Sequence, residues 1–210
     1  MRLLAMNALI QSAGRRRALV GAALVAAATV LPGCTSQQMQ GSSSSYLIVD
    51  ALNGSRGDQD DFSGQLESDV VGPTGVVADV GKVDLRLGLK DPGTTTNPSA
   101  PTSANFITIT RYHVKYVRSD GRNTQGVDVP FEFDGGASVT VRDASAISTL
   151  GITLVRAQAK LEAPLLALRG QGGQVILSTI AEVTLYGTDQ AGREVSVLAK
   201  ISVTFADFGS

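Results

Sequence analysis

The side chains able to do covalent, metal or acid–base chemistry are few and scattered. Cys34 is the only cysteine and His113 the only histidine of the 210 residues, so any nucleophile–base system has a single imidazole to draw on. His113 sits between Arg111 and Lys115 in an alternating segment. A metal or base role there needs acidic partners brought in from elsewhere, and the ordinary role of such a histidine is a surface one. Acids crowd together at Asp58, Asp60 and Asp61. They offer hard oxygens of the kind calcium takes in sets of about 6–8, but without a regular ligand spacing the ordinary reading is a solvated acidic loop. The chain has no Gly-rich phosphate loop, no paired-histidine metal helix, no Cys-x-x-Cys pair and no Gly-x-Ser-x-Gly elbow. A carboxylate-pair glycosidase would need two acids facing one cleft, whereas most acids fall in loops or on the polar side of alternating strands. The expectation is a non-enzyme without a cofactor.

Cys34 has a different employment, set by what precedes it. Arg15, Arg16 and Arg17 lead into an apolar run from Ala18 to Leu31, and the run ends in Leu31-Pro32-Gly33-Cys34. About 14 apolar residues suit a secretory signal, for which roughly 7–15 is usual, and fall short of the about 20 that span a bilayer. A retained anchor is therefore the lesser reading, and a Sec-type signal is preferred to a twin-arginine one because Arg17-Ala18-Leu19 fits the latter loosely. The last four residues resemble the lipobox of bacterial lipoproteins, with Pro32 at its middle position. That resemblance implies cleavage after Gly33, a diacylglyceryl thioether and a further acyl chain such as palmitate on Cys34, and anchoring in membrane lipid, for which two or three chains suffice. Thr35 stands where an aspartate would imply inner-membrane retention, so the outer membrane is expected, with its periplasmic or surface face open. A single thiol also rules out an intramolecular disulfide.

Residues 1–33 carry four of the 18 bases and none of the 19 acids, leaving 14 bases against 19 acids, a net of −5. With no basic stripe to neutralise phosphates, nucleic acid is excluded as a partner. Residues 34–45 are the acylated cysteine and a Ser/Gln/Gly tether, unable to bury apolar surface and spanning roughly 18 Å as a flexible coil. Residues 46–208 then suffice for one domain, with a core of branched aliphatics suited to sheets.

Along that domain the elements read as strands. Tyr46 to Leu52 is the first, followed by a loop from Asn53 to Asp61 and a looser strand from Phe62 to Val71 that ends in the turn Gly72-Pro73-Thr74-Gly75. Val83, Leu85, Leu87 and Leu89 alternate with polar residues, the mark of a half-buried strand. Asp91 to Asn105, with three prolines, is the longest loop. Phe106 to Arg118 places Phe106, Tyr112, Val114 and Tyr116 on one side and Ile107, Ile109 and Val117 on the other. Val129, Phe131 and Phe133 make the return, Gly135-Gly136 turns the chain, and strands over Val139–Val141 and Ile147–Ala159 follow. Glu162 to Arg169, with Pro164 early and Gly170 after it, predicts a short crossover helix. The clearest hairpin pairs Val175, Leu177, Ala181, Val183 and Leu185 with Val195, Val197, Ala199, Ile201, Val203 and Phe205, and Gly192 supplies the left-handed residue.

The phrase Tyr186-Gly187-Thr188-Asp189-Gln190-Ala191-Gly192 before a β-branched strand resembles the last hairpin of bacterial immunoglobulin-like and fibronectin-like modules. The resemblance covers the final thirty or so residues and implies an all-β, immunoglobulin-like Greek-key sandwich of about eight or nine strands; it implies no activity. The expectation for function is a lipid-anchored, non-catalytic envelope module that docks an envelope protein partner. The alternative is a glycan- or calcium-binding module working through the loops Asn53–Asp61 and Asp91–Asn105. Arg56-Gly57-Asp58 also resembles the integrin-recognition tripeptide, a match short enough to recur by chance.

Overall fold

The computed structural model describes residues 41–209. They form eight strands: β1 (Ser45–Ser55), β2 (Gln65–Asp69), β3 (Asp79–Leu89), β4 (Ile107–Val117), β5 (Phe133–Val141), β6 (Ser148–Val155), β7 (Leu177–Asp189) and β8 (Glu194–Ala206). Two sheets result, one of three strands in the order β1-β3-β6 and one of five in the order β2-β8-β7-β4-β5. All pairings are antiparallel except that of the short β2, which runs parallel to β8. The architecture is an all-β sandwich.

Alternation explains the core. Leu47 on β1, Val83, Leu85 and Leu87 on β3, and Ile152 and Leu154 on β6 form one inner face. Opposite them lie Val114 and Tyr116 of β4, Ala181, Val183 and Leu185 of β7, and Val197 through Phe205, every second residue, of β8. Branched aliphatics fill this layer closely, and each buried side chain of that kind stabilises the fold by about 1.5–3 kcal/mol before entropy is counted. Tyr116 meets Phe205 edge to face, with ring centres 5.7 Å apart, and its hydroxyl donates to the Leu154 carbonyl at 2.6 Å, tying the two sheets together.

Several expectations are corrected by tertiary contacts. Ile107 and Ile109 face inward along with Tyr112, Val114 and Tyr116, because the register against β7 slips between Ile109 and Arg111. The extra residue of a β-bulge reverses the parity of everything after it. Gly135-Gly136 is not a turn but lies inside β5; a Cβ on Gly135 would sit 2.2 Å from the Tyr112 ring, so the aromatic occupies the space a side chain would need. The return strand accordingly begins at Phe133, not Val129. Asn53-Gly54 does not end β1, which runs on to Ser55, and Ile147 to Ala159 yields a strand only from Ser148 to Val155. The expected crossover helix over Glu162–Arg169 is a 3-10 turn at Leu165–Leu168, preceded by another at Ala157–Leu161; no α-helix occurs among the described residues. Leu165 and Leu168 are buried there, so the second turn is held against the sandwich by its apolar side chains.

Candidate functional site

The solvent side of the five-stranded sheet is concave. Thr110 and Arg111 from β4, Glu182, Thr184 and Tyr186 from β7, and Ser196 and Leu198 from β8 line a depression of about 950 Å³. The β4 bulge explains part of its chemistry, since it leaves both Thr110 and Arg111 exposed. The Arg111 guanidinium stacks on the Tyr186 ring at 3.8 Å from its centre, a cation–π contact that fixes two long side chains in the open depression. Next to them, Gly187 faces Ile109, and a Cβ at Gly187 would stand 2.4 Å from the Thr108 carbonyl oxygen. Glu182 is paired with Lys200 at 2.7 Å.

Beside the depression, His113 lies between two carboxylates, with Nδ1 3.2 Å from Asp134 and Nε2 3.6 Å from Glu132. Asp134 also receives Arg111 at 3.4 Å. The histidine therefore has acidic neighbours after all, supplied by the start of β5 and the residue before it, but these carboxylates are themselves open to water, and Asp134 is also held by Arg111.

A second polar cluster lies inside the molecule. Asp79, at the start of β3, is fully enclosed; its Oδ1 accepts from Lys160 Nζ at 2.8 Å and from the Gly57 N–H at 3.3 Å, and its Oδ2 accepts the Ser68 hydroxyl at 2.5 Å. Burial pushes the Asp79 carboxyl above the usual carboxylate range, against the pull of Lys160 and of the hydrogen bonds from Lys160, Ser68 and Gly57.

The remaining clasp is at the β7–β8 hairpin. Asp189 Oδ1 accepts the N–H groups of Ala191 and Arg193 at 2.9 and 3.0 Å, and Oδ2 accepts Arg193 Nε at 2.8 Å. Arg193 in turn reaches the Ser42 carbonyl at 3.2 Å, and Lys90 reaches that of Gly41 at 2.8 Å. The chain thus enters the domain at the hairpin end.

No protein-family model, no curated protein and no solved structure matches this chain.

The residues singled out from the sequence fare unequally. Cys34 and its motif Leu31, Pro32 and Gly33 lie outside the described residues, as do the signal segment and the first part of the tether. Asp58, Asp60 and Asp61 are exposed, and among the described residues no three His, Cys, Asp or Glu side chains gather where they could hold a metal ion. Arg56 of the Arg-Gly-Asp tripeptide is turned back onto the domain, donating to the Glu67 carbonyl at 2.8 Å and covering Phe208. The two end loops are not brought together. Ser45 pairs with Leu89 and Ser55 with Val80, so the segment after Ser55 and the Asp91–Asn105 loop leave from opposite ends of the sandwich.

Sequence reasoning missed the depression and the interior cluster. Arg111 and Tyr186 belong to strands distant in the chain, and nothing local marks them as neighbours. Lys160 carried a faint mark, being the one charge within the small and apolar run Ala157-Gln158-Ala159-Lys160-Leu161.

Proposed function

We propose that this chain is a lipid-anchored lipoprotein of the cell envelope, held in the outer membrane by acylated Cys34, whose immunoglobulin-like sandwich docks an envelope protein and performs no catalysis. The fold part of this reading is supported by strand order. The links from β3 to β4 and from β6 to β7 cross between sheets, β4–β5 and β7–β8 are hairpins, and β2 lies parallel on β8. Hairpins joined by crossings between two sheets support a Greek-key, immunoglobulin-like reading.

The observation carrying the docking part is the Arg111–Tyr186 stack within the open depression of the larger sheet. Tyrosine and arginine dominate the energetics of protein interfaces because each brings much contact area at small entropic cost, while flanking hydroxyls and the apolar Leu198 suit a mixed polar surface.

Cross-linking capture in the native host, from a photoreactive residue at position 198, tests the reading. A stoichiometric envelope protein is expected, and Tyr186→Ala should weaken its binding about thirty-fold, corresponding to the ~2 kcal/mol of an interface anchor. Capture of no defined partner, or equal binding by the variant, would refute docking at this face. The anchor is tested separately: Cys34→Ala should release the protein into the soluble fraction, and a variant that stays membrane-bound would show that acylation is not what holds it.

A further inference from the structure

The crossover from β6 to β7 carries a lysine that the fold hides. Lys160 is 1 % exposed and Asp79 is 0 % exposed, and they lie 81 residues apart in sequence. Neither side chain can easily withdraw. Asp79 is fixed by the first ladder contacts of β3, and the Lys160 backbone is fixed by the 3-10 turn and by Arg169 Nη2, which donates to the Lys160 carbonyl at 3.3 Å. An ammonium and a carboxylate enclosed together are expensive to keep charged, since the loss of hydration is only partly returned by their attraction.

The two oxygens of Asp79 also have unlike surroundings. Oδ1 faces two N–H donors, Lys160 Nζ and the Gly57 amide, while Oδ2 faces the Ser68 hydroxyl. This arrangement can activate a carboxyl carbon: a hydroxyl donor at the oxygen that would hold developing negative charge, N–H donors at the oxygen that would leave, and an amine held against the same group. Enforced proximity of this kind corresponds to effective concentrations of about 10⁵–10⁸ M in well-oriented cases.

We propose that Lys160 and Asp79 are joined after folding by an intramolecular amide bond between Nζ and Cγ. One proton passes from the ammonium to Oδ1, the oxygen it already faces, giving a free amine and a carboxylic acid. Nζ then attacks Cγ, and the negative charge that gathers on Oδ2 is met by the Ser68 hydroxyl. The Cγ–Oδ1 bond breaks, and Oδ1 leaves as water with the proton already transferred and one more from nitrogen. Three ammonium protons thus become one amide proton and two water protons, and no oxidant, reductant or external acid is required. The enclosure that excludes solvent also protects the bond from hydrolysis. A chain with one cysteine would gain a covalent tie that no disulfide can provide, from the edge of β3 to the crossover that closes the far end of the sandwich.

Tryptic mapping of the full chain isolated from its native membrane decides the matter. Trypsin cuts after Arg56, Lys82, Arg156 and Arg169, but an acylated Lys160 is not cut. The expected result is one branched species containing residues 57–82 and 157–169, lighter by one water than the two peptides together, with loss of the free 161–169 peptide. Full release of 161–169 alongside unlinked 57–82 would overturn the proposal. Asp79→Ala must restore that release whether or not the variant folds. The denatured wild-type chain should also migrate faster than the Asp79→Ala chain under reducing electrophoresis, and identical mobility would count as a refutation.

Discussion

The two ends of the sandwich each rely on an enclosed aspartate, and the two behave in opposite ways. At the hairpin end the Asp189 side chain is 0 % exposed, but its partner Arg193 is 35 % exposed. At the far end Asp79 is equally enclosed, and Lys160 is shut in with it. Burial alone would push both carboxyls up. For Asp189 that push is outweighed by hydrogen bonds from the Arg193 and Ala191 N–H groups, Ser43 and the Arg193 side chain, so its carboxyl falls below the usual range. For Asp79 burial wins. What differs is access of the cation to water and the number of backbone N–H groups aimed at the carboxylate: a tight turn supplies two, whereas the carboxylate at the start of β3 receives one.

The largest test of that contrast is Asp79→Ala, which leaves the Lys160 charge enclosed without its partner and removes the amide tie between them. Urea unfolding should show a loss of at least about 3–5 kcal/mol, the cost of leaving a buried charge unpaired, with the loss of the tie added to it. A loss no greater than that of a surface variant would mean that the far end is open to water and the contrast false. Asp189→Ala should cost less, because Arg193 can turn to solvent, and its effect should depend on pH. A carboxyl lowered by folding stabilises the fold above its unfolded value of 3.8 and loses that contribution as pH falls through its folded value. The gap in melting temperature between wild type and Asp189→Ala should therefore be full at neutral pH and close below 3.8; a gap that widens in acid would reverse the assignment. The smallest effect belongs to Arg86→Ala. Arg86 grips Asp50 through two bonds of 2.5 and 2.6 Å and lowers its carboxyl chiefly through that hydrogen bonding, yet the pair stands in water, where such bridges contribute little. Its melting temperature should match wild type within error.

Where one face of a strand is buried along its whole length, the sequence was readable. β3, the inner part of β7 and all of β8 follow their apolar alternation without a slip; Val175 is exposed and lies before the strand, and Gly187–Asp189 and Glu194 are strand, not loop. The turn at Gly72–Gly75 and the left-handed Gly192 were readable for a local reason, namely backbone hydrogen bonds within four residues and a φ of +78° that favours glycine. β4 was misread because its bulge answers to the neighbouring strands and leaves no mark in composition. Gly135 and Gly54 carry the local signature of turns, although their smallness serves packing: a Cβ at Gly54 would press on Leu66, Leu154 and Ile201. The site was less legible than the fold. Of its members, Arg111 and Tyr186 stand out in the sequence only as parts of other motifs, and nothing local singles out Asp79 beside Lys160.

The amino-acid order by itself determined a β-rich domain and which strands carry the core, because period-two alternation is a property of each segment alone. Tertiary structure decided the sheet partners, the reversal at the β4 bulge, the meeting of Arg111 with Tyr186 and the enclosure of Lys160 with Asp79. Those depend on which distant segments share one low-dielectric space, and no local pattern encodes that.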